Sequence, residues 1–118
     1  MSVKESGIQG RISHEILEAY GNRVRVRVRH GSQYATAGDP DLEGCLYGLY
    51  FAFEVKNEKG DLTKIQMHRL KEITDAGGIA AGVRSPREAL DILKTAVIIQ
   101  IDNYQKQGKW HPAGRIIR

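Results

Sequence analysis

The chain has 118 residues, of which 41% are hydrophobic and 27% are charged, a balance that is typical of one globular domain and excludes a disordered or membrane-spanning chain. A formal net charge of +4 and a pI of about 9.3 mildly favour polyanionic partners such as nucleic acid. Cys45 is the only cysteine, so an intrachain disulfide and a cysteine-rich zinc site are excluded, and any bound metal must use oxygen or imidazole ligands.

The sequence contains no apolar run long enough for a membrane span, and its first residues lack the apolar core of a signal peptide. We therefore expect a cytoplasmic protein. No internal repeat, low-complexity tract or linker divides the chain, so residues 1–118 are expected to form one domain.

A first helix is predicted over about residues 3–20. Ser2, followed three residues later by Glu5, fits a capping box. Apolar side chains then recur at helical spacing up to Gly21, at Ile8, Ile12, Ile16, Leu17 and Tyr20. Two internal glycines weaken this helix.

Three strands are predicted next. Strict alternation over residues 24–29 places three valines on one face of a strand and three arginines on the other. Residues 30–40 are rich in Gly, Ser, Thr and Asp and predict a loop. Residues 41–45 can form a short second strand.

The third strand is predicted over residues 49–56, after a turn at residues 46–48. Side chains alternate along a strand, so this segment has two different faces. One face carries Phe51, Phe53 and Val55, and the other carries Ala52, Glu54 and Lys56.

A second helix is predicted after the next turn. Thr63 and Gln66 form a capping box, an apolar stripe follows, and the pair Gly77-Gly78 ends the helix. Residues 79–84 then predict a short buried strand.

A third helix begins at Pro86 and can extend to about Gln107, although the β-branched run at residues 97–99 can also break it. Residues 94–118 are interpreted as a C-terminal helix extension and a basic, irregular tail. The element order is therefore α-β-β-β-α-β-α, which predicts an α/β fold with a mixed sheet flanked by helices.

Two acidic residues and a lysine form the pattern PD…ExK. Pro40-Asp41 precedes Glu54-Val55-Lys56 by about a dozen residues, so two carboxylates and an amine can converge at one sheet edge. Asp41 and Glu54 offer the hard oxygen ligands that Mg²⁺ or Mn²⁺ prefers, and the Val55 carbonyl can add another. Lys56 can orient a metal-bound water for phosphodiester hydrolysis.

An isolated ExK triplet has a simpler interpretation, a surface strand with a salt bridge. The upstream Pro40-Asp41 and the residues 63–66 downstream favour a metal-dependent nuclease site instead. Zinc and serine-nucleophile chemistry are not expected, because the histidines lack ligand spacing and neither Ser13 nor Ser32 has a paired base. The histidines are His14, His30, His68 and His111.

Taken together, several motifs resemble the virus-type replication-repair nuclease (VRR-NUC) domain of the PD-(D/E)xK nuclease superfamily. In order along residues 3–93 they are ESGIQ at 5–9, GDPDL at 38–42, EVK at 54–56, GDLTKIQ at 60–66 and AGG at 76–78. The resemblance implies a restriction-endonuclease-like core, dependence on Mg²⁺ or Mn²⁺, and cleavage of DNA. The family's spread is compatible with the cytosol of a bacterium or of a phage-infected host.

The resemblance assigns catalytic roles to Asp41, Glu54, Lys56 and Gln66. Its N-terminal helix glutamate matches Glu5 best, with Glu15 as the fallback metal ligand. Two of these residues keep an alternative, since Glu5 also fits the Ser2 capping box and Gln66 the Thr63 capping box. Asp39 is interpreted as a turn former through its side chain, with a substitute ligand as the alternative.

DNA contacts are expected from basic side chains near this edge of the sheet, which would bind phosphates in a salt-dependent way. The candidates are Arg27, Arg29, Lys59, Lys64 and Arg84. The alternative for each is an ordinary solvated charge, or an edge-strand charge that prevents aggregation.

Stand-alone members of the resembling family are associated with branched DNA such as four-way (Holliday) junctions, which suits a C2 homodimer. The third helix and the Trp110 tail can form that interface or complete the monomer core, and the sequence leaves both open. Two alternative functions also stay open: a non-catalytic DNA-binding subunit, and a restriction-type nuclease acting on linear duplex.

Overall fold

The chain folds around one four-stranded sheet, seen in a computed structural model that describes residues 3–29 and 36–107. The strands lie side by side in the order of the sequence. The first three are antiparallel neighbours, and the fourth runs parallel to the third. They are β1 (Val24–Val28), β2 (Leu42–Leu46), β3 (Leu49–Val55) and β4 (Ile79–Val83).

Three helices complete the described fold: α1 (Glu5–Tyr20), α2 (Lys64–Asp75) and α3 (Pro86–Gln107). A short 3₁₀ turn, Gly21–Arg23, joins α1 to β1. The predicted α/β order of helix, three strands, helix, strand and helix is confirmed. Within the ranges described, no helix is both long and apolar enough to cross a bilayer.

The two faces of the sheet are buried by different helices. On one face, isoleucines of α1 and leucines of α3 pack against Phe51, Phe53 and Val55 of β3. These are the three side chains that alternation places together, and all of them are fully buried. The opposite face of β3 is covered by α2, which contacts β3 and β4. That second face carries Glu54.

A tight hairpin sets the register between β2 and β3. Tyr47 and Gly48 form a two-residue turn in which both residues have positive φ, 51° and 80°. Such turns match the twist of antiparallel strands and fix their pairing. The resulting register pairs Leu42 with Phe53, which brings Asp41, one residue earlier, to the level of Glu54.

The N-terminal helix differs from its prediction. It begins at Glu5, its N-cap is Lys4, and no side chain caps it. Glu5 is thus the first helical residue and not the third, and the capping-box explanation for it is wrong. Ser2 itself lies outside the described residues.

Two expectations for the second half of the chain have different outcomes. The β-branched run at residues 97–99 does not interrupt α3, because Val97 packs against the core and holds the helix there. Strand β4 is less buried than expected: Val83 is fully buried, but Gly82 is exposed, since β4 lies at an edge of the described sheet. Residues 30–35 and 108–118, including Trp110, lie outside the described ranges.

Gly44 tests how tightly β1, β2 and β3 pack. A methyl group there would overlap the Arg25 carbonyl oxygen and the Phe51 ring. We expect Gly44→Ala to lower the free energy of unfolding by about 3 kcal/mol, because neither neighbour can move without breaking strand or core packing. Urea unfolding measures the change.

Gly10→Ala is the matched control, because nothing lies within 4 Å of a Cβ at this position in α1. It should raise the free energy of unfolding by about 0.5–1 kcal/mol, as expected for a helical glycine. Equal effects of the two substitutions would contradict the close packing at Gly44.

Candidate active site at the ends of β2 and β3

Asp41 is held at the start of β2 by the backbone of β3. Its Oδ2 accepts a hydrogen bond of 2.9 Å from the Val55 backbone N–H. The Asp41 carbonyl oxygen accepts a second bond of 2.6 Å from the backbone N–H of Arg29, which follows β1. The carboxylate is therefore held against β3, while the Asp41 backbone is bonded to the residue that follows β1.

The loop before Asp41 is packed onto α2. Gly38 has φ of 82°, and a Cβ there would lie 2.8 Å from the Ile65 side chain. Arg69 of α2 donates from Nε to the Ala37 carbonyl oxygen at 3.1 Å, and Pro40 is buried. A glycine at position 38 thus lets the chain approach α2 and direct Asp41 into the site.

Glu54 is the buried acid of the site, with 4% of its surface exposed. Its Oε1 accepts a hydrogen bond of 2.7 Å from Gln66 Nε2 and lies 3.8 Å from Lys56 Nζ. Its Oε2 is buried and has no hydrogen-bond partner among the described residues. An ionised carboxylate oxygen that is buried without a partner is costly, so we expect Oε2 either to carry a proton that it shares with Asp41 or to bind a cation.

The surroundings of Glu54 favour its protonated form. Burial first, and then the nearby negative charge of Asp41, raise the pKa of Glu54 to about 8, whereas Lys56 acts in the opposite direction. Two carboxylates sharing one site repel each other when both are ionised. A cation bound between them would remove that repulsion.

Gln66 completes the predicted capping box and also contacts Glu54, while its catalytic role stays a prediction. Its Oε1 accepts from the Thr63 backbone N–H at 2.9 Å, and its own N–H donates to Thr63 Oγ1 at 3.2 Å, so the capping box is complete. With Oε1 engaged by a donor, Nε2 is the end of the amide that faces Glu54. The cap therefore orients the side chain that contacts the acid.

The donor atoms fit a hard divalent cation. Asp41 and the free Oε2 of Glu54 offer carboxylate oxygens, which Mg²⁺ and Mn²⁺ prefer. In the part of the chain that the structure describes, no group of three or more His, Cys, Asp or Glu could hold a metal. Water and phosphate oxygens would therefore complete the coordination. The Val55 N–H is bonded to Asp41, and its carbonyl as a further ligand stays a prediction.

Glu5 lies beside this site but contacts a different part of it. Its Oε2 accepts a hydrogen bond of 3.2 Å from the backbone N–H of Asn57, directly after Lys56. A Cβ on Gly60 would lie 2.9 Å from the same oxygen and 3.3 Å from Lys56 Cδ. Glu5 therefore anchors the chain that follows β3. Its role as a metal ligand remains a prediction, as does that of Glu15, which is exposed on α1.

Arg84 is engaged by the protein, although the sequence suggested it for DNA. Its Nη1 donates to the carbonyl oxygens of Asn57 and Gly60, the latter at 2.7 Å, and Nη2 lies 3.4 Å from Asp61. These contacts hold the loop between β3 and α2 in place. Lys59 and Lys64 are exposed, and phosphate binding by all three residues remains a prediction.

Sequence reasoning missed Glu43 on β2. Its Oε1 accepts from Nε and Nη2 of Arg27 at 2.9 and 2.6 Å, and its Oε2 accepts from Arg29 Nη1 at 3.2 Å and from Tyr50 at 2.9 Å. Burial raises the pKa of Glu43, but the bonds from Arg27 and Tyr50 and the charge of Arg29 outweigh it and lower the pKa. The sequence could have indicated this ion pair only if the β1–β2 register, which pairs residues 27 and 43, had been known.

Tyr50 and Asp39 extend this network. Burial, followed by the bond to and charge of Glu43, raises the pKa of Tyr50 to about 12, so its hydroxyl stays a donor. Asp39 ends a turn through its backbone N–H, which donates to the Thr36 carbonyl oxygen at 3.1 Å. Among the described contacts, its carboxylate lies 3.4 Å from Arg29 Nη2 and forms no bond of this turn, so the predicted turn through the Asp39 side chain is wrong.

Comparisons with known proteins show what this fold is similar to. No protein-family model matches the sequence, and no curated protein does. A solved structure named "VRR_NUC domain" is 22% identical, with a TM-score of 0.56 over 73% of this chain and 94% of the other. A second, named "VRR_NUC domain protein", is 12% identical, with a TM-score of 0.53 over 75% and 86% of the two chains. The expected VRR-NUC fold is confirmed.

The raised pKa of Glu54 predicts a pH-dependent stability. Below its ordinary value of 4.5 both states hold the proton, and between 4.5 and about 8 the folded state keeps a proton that the unfolded chain releases. Stability should therefore fall as the pH rises through this window. Glu54→Gln removes the ionisation, so its free energy of unfolding should exceed that of the wild type by about 2 kcal/mol or more at pH 8.

Urea unfolding at pH 5 and pH 8 in the presence of EDTA measures this difference. Glu18→Gln is the control, because Glu18 is exposed on α1, where it pairs with His14. The interpretation fails if wild type and Glu54→Gln lose stability equally between the two pH values.

Proposed function

We propose that the protein is a metal-dependent nuclease that hydrolyses phosphodiester bonds in DNA, with Asp41, Glu54 and Lys56 at its active site. The observation that supports this most directly is the buried Glu54 carboxylate. One of its oxygens is held by Gln66 near Lys56, and the other is buried without a partner beside Asp41. Similarity in fold to solved VRR_NUC domain structures supports the same activity.

Asp41 and Glu54 would hold Mg²⁺ or Mn²⁺. When bound, such a cation neutralises charge on the scissile phosphate and lowers the pKa of water. Asp41 contributes an oriented carboxylate, because its other contacts are fixed by the Val55 N–H and the strand backbone. Glu54 contributes Oε2, since Gln66 engages Oε1 and leaves the second oxygen available.

Lys56 lies on the same face of the chain as Glu54 and is largely buried, with 13% of its side chain exposed. An ammonium has three hydrogen-bond donors. One donor can face Glu54 while another orients the attacking water or stabilises the negative charge that develops on phosphate. This role requires the ammonium itself.

The proposed substrate is branched DNA such as a four-way junction, cut internally by a homodimer. The sequence resemblance supports this choice. A two-fold assembly would present two active sites to two strands. Ile98 and Ile99 of α3 are 57% and 55% exposed and offer apolar surface for a second copy of the chain.

Cleavage of labelled DNA tests the proposed activity. Purified protein is incubated with a four-way junction, a flap and a linear duplex in Mg²⁺ or Mn²⁺, and the products are separated on a denaturing gel. We expect cleavage that EDTA abolishes. Asp41→Ala and Lys56→Ala should each lower the rate about 100-fold or more, because each removes a group that acts on the reacting atoms.

Lys71→Ala is the matched control for loss of a positive charge. Lys71 is exposed on α2 and pairs with Asp75, so its substitution should leave the rate within about threefold. DNA binding without cleavage in either metal would instead indicate a non-catalytic DNA-binding protein. Discrete fragments from the linear duplex would indicate a restriction-type enzyme.

The double role of Gln66 gives a further prediction. Gln66→Glu keeps an acceptor for the Thr63 N–H but loses the donor to Glu54, so cleavage should fall about 10- to 100-fold while α2 remains capped. Thr63→Ala should have the opposite profile. It removes the hydroxyl that caps α2 and keeps the N–H that orients Gln66, so the free energy of unfolding should fall by about 1 kcal/mol with cleavage retained.

Circular dichroism melting and the cleavage assay, applied to both variants, separate the two roles. If activity follows stability in both proteins, Gln66 acts as a cap and has no separate role in the site.

A further inference from the structure

Among the described residues, the half of the polar sheet face that β1 and β2 form carries exposed side chains and lies next to the proposed active site; we call it the open half. Helix α2 packs on this face over β3 and β4. In the part of the chain that the structure describes, Arg25, Cys45 and Tyr50 on the open half are exposed, and Arg27 has 69% of its side chain exposed. This open half therefore presents basic side chains to solvent.

Arg27 and Arg29 converge on the single carboxylate of Glu43. Arg27 reaches Oε1 through Nε and Nη2 at 2.9 and 2.6 Å, and Arg29 reaches Oε2 through Nη1 at 3.2 Å. Two guanidinium groups that bind the two oxygens of one anion form the arrangement that also suits two oxygens of a phosphate. Glu43 thus occupies the position of an anionic ligand.

This arrangement lies directly beside the site that would cut DNA. The backbone N–H of Arg29 donates to the Asp41 carbonyl oxygen, so one of the two arginines is bonded directly to a residue of the acidic site. A DNA strand whose scissile phosphate reached Asp41 and Glu54 would carry a neighbouring phosphate toward the open half of the sheet. Charge complementarity favours a phosphodiester backbone there.

We propose that Arg27 and Arg29 form a phosphate-binding pair for the DNA backbone, and that Glu43 occupies this pair as an internal competitor until DNA replaces it. The proposal rests on the proposed function for the identity of the ligand. On exchange, the arginines bind phosphate oxygens, and Glu43 keeps the hydrogen bond of 2.9 Å from Tyr50. The carboxylate therefore retains a partner after the arginines leave it.

The consequence is a limit on non-specific binding. A DNA that contacts only this pair must displace Glu43 and meet its negative charge, whereas a DNA that also engages the active site has additional contacts to offset that cost. Glu43 is thus a specificity-determining residue and touches no reacting atom in this mechanism.

Glu43→Gln tests the competition because the amide keeps the shape of the carboxylate and removes its charge. Binding of a fluorescently labelled linear duplex and of a four-way junction is measured by anisotropy at about 0.1 M salt in EDTA, where no cleavage occurs. We expect the Kd of Glu43→Gln for the linear duplex to be about three- to tenfold lower than that of the wild type. The plot of log Kd against log salt should become steeper, because more phosphate contacts form.

Two comparisons separate competition from a change in net charge. Glu18→Gln makes the same charge change on α1, where Glu18 is 72% exposed and pairs with His14, and it should change the Kd less than about twofold. In an Arg27→Ala/Arg29→Ala background, Glu43→Gln should give no gain in affinity, since the pair that it releases is absent.

The proposal is overturned if Glu43→Gln binds no more tightly than Glu18→Gln, if its gain survives in the double-arginine background, or if neither wild type nor Glu43→Gln binds DNA. The cleavage assay tests the nuclease function independently of this binding measurement. A gain in affinity without any cleavage would refute the nuclease function and keep the phosphate pair, and cleavage without the gain would refute the pair alone.

Discussion

The burial of the Glu54 carboxylate is the constraint on which the candidate site depends. An acid with 4% of its surface exposed is unfavourable unless its oxygens are satisfied or protonated. Burial and the neighbouring Asp41 raise its pKa to about 8, and the nearby Lys56 only partly offsets this. Burying this acid lowers the free energy of unfolding, which is expected where a cation or substrate completes the interaction.

Three separate structural features position Glu54 and Asp41 relative to each other. The Tyr47-Gly48 turn fixes the register that sets Asp41 level with Glu54. The capping box of α2 turns the Gln66 amide so that its nitrogen faces Glu54. Gly38 allows the preceding loop to pack onto Ile65. Each of these features also has an ordinary structural role, since it connects two strands, starts a helix or closes a loop. No additional helix or strand is needed to build the site.

The sequence predicted the elements well, because the signals for them are local. Alternation in β1 and β3, helical spacing of apolar residues in α1, and the Thr63 capping box each depend on a few neighbouring residues. The convergence of Asp41, Glu54 and Lys56 was also predictable from spacing and resemblance. The Glu5 cap was wrong because a capping pattern does not fix where a helix begins, and Lys4 precedes the first turn instead.

Long-range contacts could not be predicted in the same way. The role of Glu43 can be recognised only when the β1–β2 register is known, because that register places it opposite Arg27 and beside Arg29 and Tyr50. Arg84 was assigned to DNA from its charge, yet its guanidinium is engaged by carbonyl oxygens of residues 57 and 60. A sequence shows that a residue carries charge but not which group faces that charge, so roles that depend on pairing need coordinates.

The distribution of charge across the sheet connects these observations. Two carboxylates at the ends of β2 and β3 would repel a phosphate, so a chain that brings DNA to them needs positive charge nearby. Lys56 supplies it inside the site, and Arg27 and Arg29 supply it on the open half of the face. In the absence of DNA, Glu43 partly neutralises Arg27 and Arg29. The attraction of the free protein for polyanions is therefore weaker than the number of arginines suggests. Under the proposed exchange, this attraction would become available only as phosphate replaces the carboxylate.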